Sequence, residues 1–252
     1  MIALWTKNTK ILRKTKMKVK LSKYPLVSGI FLSRPNRFIA KVMINQEEIV
    51  AHVPNTGRMS ELLVSGVRAI LAWNPAPHRK TDYTLLLVEK DGHWVSVNSM
   101  LANQIAYEFL NAQADVSELK QEVTYGNSRF DLACLKGGEY AYYEVKSVNL
   151  VVNQIAMFPD APTERGSKHL AELLRAHQEG YHTGVIFVVQ RNDAKSFQPN
   201  KKMDPKFSRL LGQCHSLGIE IRALSCDIDG VNIEMISELP VTVFSEETVK
   251  EV

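Results

Sequence analysis

Residues 128–147, SRFDLACLKGGEYAYYEVKS, set three side chains capable of chemistry, Asp131, Glu144 and Lys146, in a stretch otherwise rich in strand formers. Gly137-Gly138 is a two-residue hairpin signal, because a type I′ turn needs positive φ at both central residues. With those glycines at the turn, Lys136 faces Glu139, and counting outward puts Asp131 directly opposite Glu144. Their Cβ atoms would then be about 4.5–5.5 Å apart on one face. Lys146 lies two residues beyond Glu144 and so shares that face. Facing carboxylates repel unless a cation lies between them. A lysine does this in part; a divalent cation bound by hard oxygens does it better. The other reading is an ion network without turnover, a common structural device.

The elements that must position this cluster follow from hydrophobic periodicity. From about residue 24 to residue 97 the chain alternates in short segments: LVSGIFLSRPNRFIAKVMI, EEIVAHV, VRAILAW, YTLLLVEK and HWVSV, broken by the turn Pro54-Asn55-Thr56-Gly57. About five short strands in this length predict a small all-β barrel of the OB-fold type. Its loops carry Arg34, Arg37, Arg58, Arg79 and Lys80. Basic loops on such a barrel suit a single-stranded or distorted nucleic-acid backbone, or are simply solvated turns.

The period then changes from two to nearly four. Asn98-Ser99 offers an N-cap, and Leu101, Ile105, Glu108 and Ala112 fall on one helical stripe. Glu108 is the acid on that stripe, directed either to water or to the acidic face of the hairpin. After the hairpin, helices at about 165–179 and 205–217 alternate with the strands TGVIFVVQ and IEIRALS. That order predicts right-handed crossovers in a mixed sheet covered by helices. The expected organisation is a basic arm (1–23), a barrel (24–97) and an α/β domain (98–252). Thr163 is placed to cap the helix that follows it, with Arg165, Lys168 and His169 in its first turns, where a phosphate can be held. Gln190 and Arg191 end a strand, either as the far wall of the site or as strand-end polar residues. Ile219–Leu224 reads as a strand, which argues against a helix-turn-helix over this segment.

Composition is that of an ordinary globular chain, with 45% hydrophobic and 23% charged residues over 252 positions. The net charge of +4 hides an asymmetry: residues 1–46 hold eleven Lys or Arg and no acid, which leaves 20 basic against 27 acidic residues beyond them. A basic arm attracts nucleic acid without sequence choice, although Met17 also offers a second start. Cys134, Cys214 and Cys226 are odd in number with no CxxC pair, which suggests buried thiols in a reducing, cytoplasmic setting and argues against structural zinc. No apolar run approaches the ~18–20 residues of a membrane span. A homo-oligomer stays open.

The blocks AHVPNTGRMSELL, WVSVNSMLAN, EVTYGNSRFDL, EVKSVNLV and FPDAPTERGSKHLAEL resemble signature blocks of the sugar fermentation stimulation protein family, from about residue 24 to LPVTV at 239–243. The resemblance implies an N-terminal OB-like barrel and a C-terminal domain similar to PD-(D/E)XK nucleases, in proteins regarded as DNA-binding. Carried over by residue, Asp131 matches the metal-binding aspartate, Glu144 and Lys146 the E-x-K element, and Glu108 the acid of the preceding helix. Phe130 stands where the motif's name has proline. The chemistry implied is phosphodiester hydrolysis with Mg²⁺ or Mn²⁺ on Asp131 and Glu144, and Lys146 orienting water or stabilising charge. Two alternatives remain: a non-cleaving DNA-binding regulator of carbohydrate metabolism on a nuclease scaffold, and an enzyme acting on a small phosphorylated metabolite.

Overall fold

The computed structural model describes residues 17–126 and 128–243. The expected basic arm therefore lies mostly outside the described residues. Its last part does not behave as an arm. Lys18–Lys20 forms strand β1, with Leu21 only 4% exposed in the core. The KVKL alternation half-buries Val19, buries Leu21 and turns the lysines outward.

Leu26–Asn36, Ile39–Ile44, Glu47–His52, Arg68–Trp73, Tyr83–Lys90 and His93–Ser96 form β2 to β7. They make one sheet, which closes where β4 pairs with β6 at Ala51 and Tyr83. Closure gives the OB-like barrel of β2–β6, with β7 as a hairpin extension. Period two explains it: in β3, Ala40, Val42 and Ile44 are buried while the residues between them are not.

Next come α1 (Met100–Asn111), β8 (Val116–Tyr125), β9 (Ser128–Lys136) and β10 (Glu139–Val148). After these, β11 (Val151–Val152) and β12 (Ile155–Phe158) lead to α2 (Glu164–Gln178) and β13 (His182–Val189). The chain ends with β14 (Ser196–Pro199), α3 (Pro205–Ser216), β15 (Glu220–Ile228) and β16 (Asn232–Glu238). The main sheet runs β1-β16-β15-β13-β10-β9-β8, with a small sheet β11-β12-β14 beside it. The fold is thus mixed α/β behind an OB-like barrel.

Strand β13 lies between β10 and β15, parallel to both. Its apolar run is buried on both faces, as a central parallel strand requires. Successive crossovers in one direction put α2 and α3 on the same face, where Leu170, Leu173, Phe207 and Leu211 share a core. The opposite face packs on α1, and Ala72 and Leu86 of the barrel join that core. The barrel is therefore built into the α/β domain rather than tethered to it.

Candidate functional site

The hairpin forms as its glycines require. Gly137 and Gly138 have φ of 61° and 90°, and pairing runs from Lys136 with Glu139 to Leu132 with Tyr143. The ladder stops one rung before Asp131 and Glu144. There the Val145 N–H donates to Asp131 Oδ2 at 2.8 Å instead of to a backbone carbonyl of β9. The two strands open into a V with Asp131 in its fork, while β10 goes on pairing with β13, Glu144 beside Val185. Asp131 Oδ1 accepts from Asn103 Nδ2 of α1 at 3.3 Å. Burial, and then the Glu144 charge, push the Asp131 carboxyl above its usual range, against the pull of the Val145 N–H and Lys146.

Glu144 is 1% exposed. Burial pushes its carboxyl up, but Lys146 and His169 outweigh this and hold it below the usual range. Its Oε1 accepts from Lys146 Nζ at 2.5 Å and from His169 Nδ1. His169 Nε2 accepts from Arg165 Nε at 3.4 Å, which leaves Nδ1 as the donor to Glu144. Glu144 Oε2 is buried with no partner. These groups lie in a cleft of about 1340 Å³ that Asp131, Glu144, Lys146 and His169 all line. Among the described residues no group of three or more His, Cys, Asp or Glu is arranged to hold a metal. The carboxylates that line the cleft are Asp131, Glu144 and Asp160.

Barrel and α/β domain both wall the cleft. Residues 54–59 are tied to α1 through Pro54 O, which accepts from Ser99 Oγ at 2.9 Å. At their other end the Met59 N–H donates to Asp160 Oδ2 at 3.3 Å. Gly57 permits this approach, since a Cβ there would come within 2.7 Å of Asp160 Oδ2. The capped start of α2, where Thr163 Oγ1 accepts from the Gly166 N–H at 3.0 Å, brings Arg165 and His169 to the wall.

The expected nucleic-acid contacts divide. Arg37, Arg58 and Arg165 are exposed and line the cleft. Arg34 lines it too, but its guanidinium is spent internally, donating to the carbonyls of Arg37, Asn55, Gly57 and Arg58 at 2.6–2.8 Å. Arg79 bonds within its own loop, to Thr81 O and Thr84 Oγ1, and neither it nor Lys80 lines the cleft. Lys168 points to solvent and pairs with Glu172 at 3.7 Å.

Glu108 requires correction: it is exposed and outside the cleft. The buried stripe of α1 is Leu101, Ala102, Ile105, Ala106, Phe109 and Leu110, so position 108 turns away from the sheet. Asn103, on the same helix, is the residue that reaches Asp131. The sequence links α1 to the hairpin only through Glu108, and nothing in it singles out Asn103. Gln190 and Arg191 are buried behind the site, with Gln190 Nε2 donating to Ser147 Oγ at 2.6 Å and Arg191 to Asp193. The three cysteines are free and buried, and burial pushes Cys134 up to about 11 and Cys214 to about 12. No described helix is long and apolar enough to cross a membrane.

Comparison with known proteins agrees with this architecture. The sugar fermentation stimulation protein RE domain matches residues 97–232, and the SfsA N-terminal OB domain matches residues 32–97. A sugar fermentation stimulation protein homolog of Desulforamulus reducens is 45% identical over 222 residues, covering 86% of this chain and 92% of that one. One of Acetivibrio thermocellus is 42% identical over 226 residues, covering 86% and 97%. The solved structure of Pyrococcus furiosus SfsA in complex with Ca²⁺ superposes with a TM-score of 0.80 at 31% identity, covering 89% of this chain and 99% of that chain. With both of its halves matched and relatives covering most of its length, the chain belongs to the sugar fermentation stimulation protein family.

Proposed function

We propose that this chain binds DNA in the cleft and, with a divalent cation on Asp131 and Glu144, hydrolyses phosphodiesters there. The observation that carries the reading is Glu144 Oε2, a carboxylate oxygen buried without a partner beside a second carboxylate. A buried acceptor left unmet is costly, and a hard cation satisfies it and removes the repulsion together. The Pyrococcus furiosus relative was solved with Ca²⁺, an ion of the same oxygen-seeking class. When bound, Mg²⁺ or Mn²⁺ supplies polarisation of a phosphoryl oxygen and a lowered pKa for a bound water.

The chain's own residues do the rest. Arg37, Arg58 and Arg165 hold phosphates around an acidic floor and fix no sequence. Lys146 Nζ, on the floor, is placed to donate to an anionic oxygen as charge develops. His169 steers Glu144 from the α2 side and Asn103 steers Asp131 from the α1 side. The test is labelled single- and double-stranded DNA incubated with purified protein, with and without Mg²⁺ or Mn²⁺. Metal-dependent cleavage that disappears in Asp131→Asn is expected.

One observation favours a second reading, a non-cleaving DNA-binding regulator. Glu144 Oε1 is already met by Lys146 and His169, as in a closed ion network. DNA binding with every substrate left intact in both metals would leave that reading alone.

A further inference from the structure

Barrel segment 54–59 lines the cleft and is bonded to both of its walls. Segment 54–59 is pinned at Pro54 to the start of α1 and at Met59 to Asp160, ahead of α2. Helix α1 supplies the partner of Asp131 and α2 the partner of Glu144. The segment therefore joins the two walls that hold the two carboxylates. Arg34 props it from the barrel side through three of its carbonyls, those of Asn55, Gly57 and Arg58, so the segment is preformed.

The lining matches a single strand in its chemistry. Phe38, at the tip of the β2–β3 hairpin, is 51% exposed, and Met100, at the start of α1, is 71% exposed. Both line the cleft beside Arg37 and Arg58. An exposed ring next to arginines is what an unpaired base needs for stacking, and a duplex keeps its bases stacked internally. The cleft volume, about 1340 Å³, also exceeds the ~300–1,000 Å³ of small-molecule pockets. We infer that the cleft takes single-stranded DNA, with its bases on Phe38 and its phosphates on Arg37 and Arg58. This deepens the DNA-binding reading above and rests on it.

Fluorescence anisotropy with the full chain in EDTA tests it, using a labelled oligothymidylate and a blunt duplex of equal length at one salt concentration. The single strand is expected to bind about tenfold or more tightly than the duplex, and Phe38→Ala to lose ~5- to 150-fold of that affinity, the range for one stacked base. Phe38→Trp keeps a ring and is expected to restore binding, which separates stacking from any effect on folding. Equal or tighter duplex binding, or an unchanged single-strand affinity in Phe38→Ala, overturns the single-strand assignment and leaves DNA binding standing. No binding to either DNA overturns both.

Discussion

Asp131 takes the backbone N–H of Val145, 2.8 Å from its Oδ2, in place of a carbonyl of the neighbouring strand. The bond sets where the hairpin stops pairing, and it holds an acidic side chain in the opened fork. Glu144, the residue before Val145, is by then buried against α2 and unable to move away. Burial first, and the Glu144 charge second, raise the Asp131 carboxyl above its usual range.

Metal binding should therefore register as stability. At about 100 times its Kd, Mg²⁺ bound only to the folded chain adds ~2.7 kcal/mol, or ~5–10 °C in Tm for a protein of this size. Asp131→Asn should abolish the shift. The variant should stay within ~1 kcal/mol of the parent without metal, because Asn Oδ1 still accepts the Val145 N–H and the repulsion is gone. Differential scanning calorimetry with and without Mg²⁺ decides it; an identical shift in both proteins removes Asp131 from the site.

Lys146→Ala should separate chemistry from binding. Cleavage should fall ~10²–10³-fold, the usual loss of one charge-stabilising donor, while DNA affinity, carried by the arginines, changes little. Glu144 keeps only His169, so some stability is lost as well, below the ~3–5 kcal/mol of a fully unpaired buried charge. Glu108→Ala, out on the exposed side of α1, should match wild type in cleavage rate. A Glu108→Ala protein that folds and does not cleave would contradict the placement of that residue.

Salt titrations should sort the arginines by role. Log affinity for DNA should fall linearly with log salt, by ~0.7–0.9 per phosphate neutralised. Arg37→Ala and Arg58→Ala should each lower the slope by about 1, with Tm unchanged. Arg34→Ala should mainly lower Tm, because four carbonyls lose their donor. Equal slopes in wild type and Arg37→Ala would remove Arg37 from the interface.

The buried Arg191 gives a pH dependence of stability. It is 3% exposed and forms a two-pronged pair with Asp193, 2.6 Å for each contact. Burial raises the Asp193 carboxyl, but Arg191 outweighs it and holds the group below its usual range. A depressed carboxylate stabilises fully above its unfolded pKa of ~3.9, and that stabilisation is lost as pH falls through the folded value. Asp193→Asn should cost ~3–5 kcal/mol at neutral pH by stranding a buried charge and should flatten the acid side of the stability curve. Urea melts from pH 7 downward measure both; a parallel curve for the variant would show that the pair is not the source.

Period and turn chemistry made much of this protein readable in one dimension. Alternation places Ala40, Val42 and Ile44 inside a barrel, and the apolar run of β13 marks a strand covered on both faces. Two glycines in sequence set the hairpin register as far as Leu132 and Tyr143. These are local properties, because side-chain period and positive φ are decided within a few residues. Strand β8 escaped that reading, since Val116–Tyr125 is an edge strand exposed at most positions and bent by positive φ at Glu118 and Glu122. The same holds for β1, which becomes a strand only because β16 is there to pair with it. Helix α1 illustrates the remaining difficulty. Leu101 and Ile105 of the expected stripe are buried, whereas Glu108, which periodicity leaves open between water and the hairpin, lies in water, and Asn103 is the residue of this helix that reaches Asp131. Sequence alone thus determined which carboxylates lie on the hairpin and that basic residues border it. Tertiary structure decided that Arg34 is a prop while Arg37 and Arg58 stay exposed at the cleft, that His169 closes on Glu144, and that a barrel loop bonds to both walls of the cleft. Those outcomes depend on contacts between residues 23 to 101 positions apart, and no periodicity along the chain records which distant segments will meet.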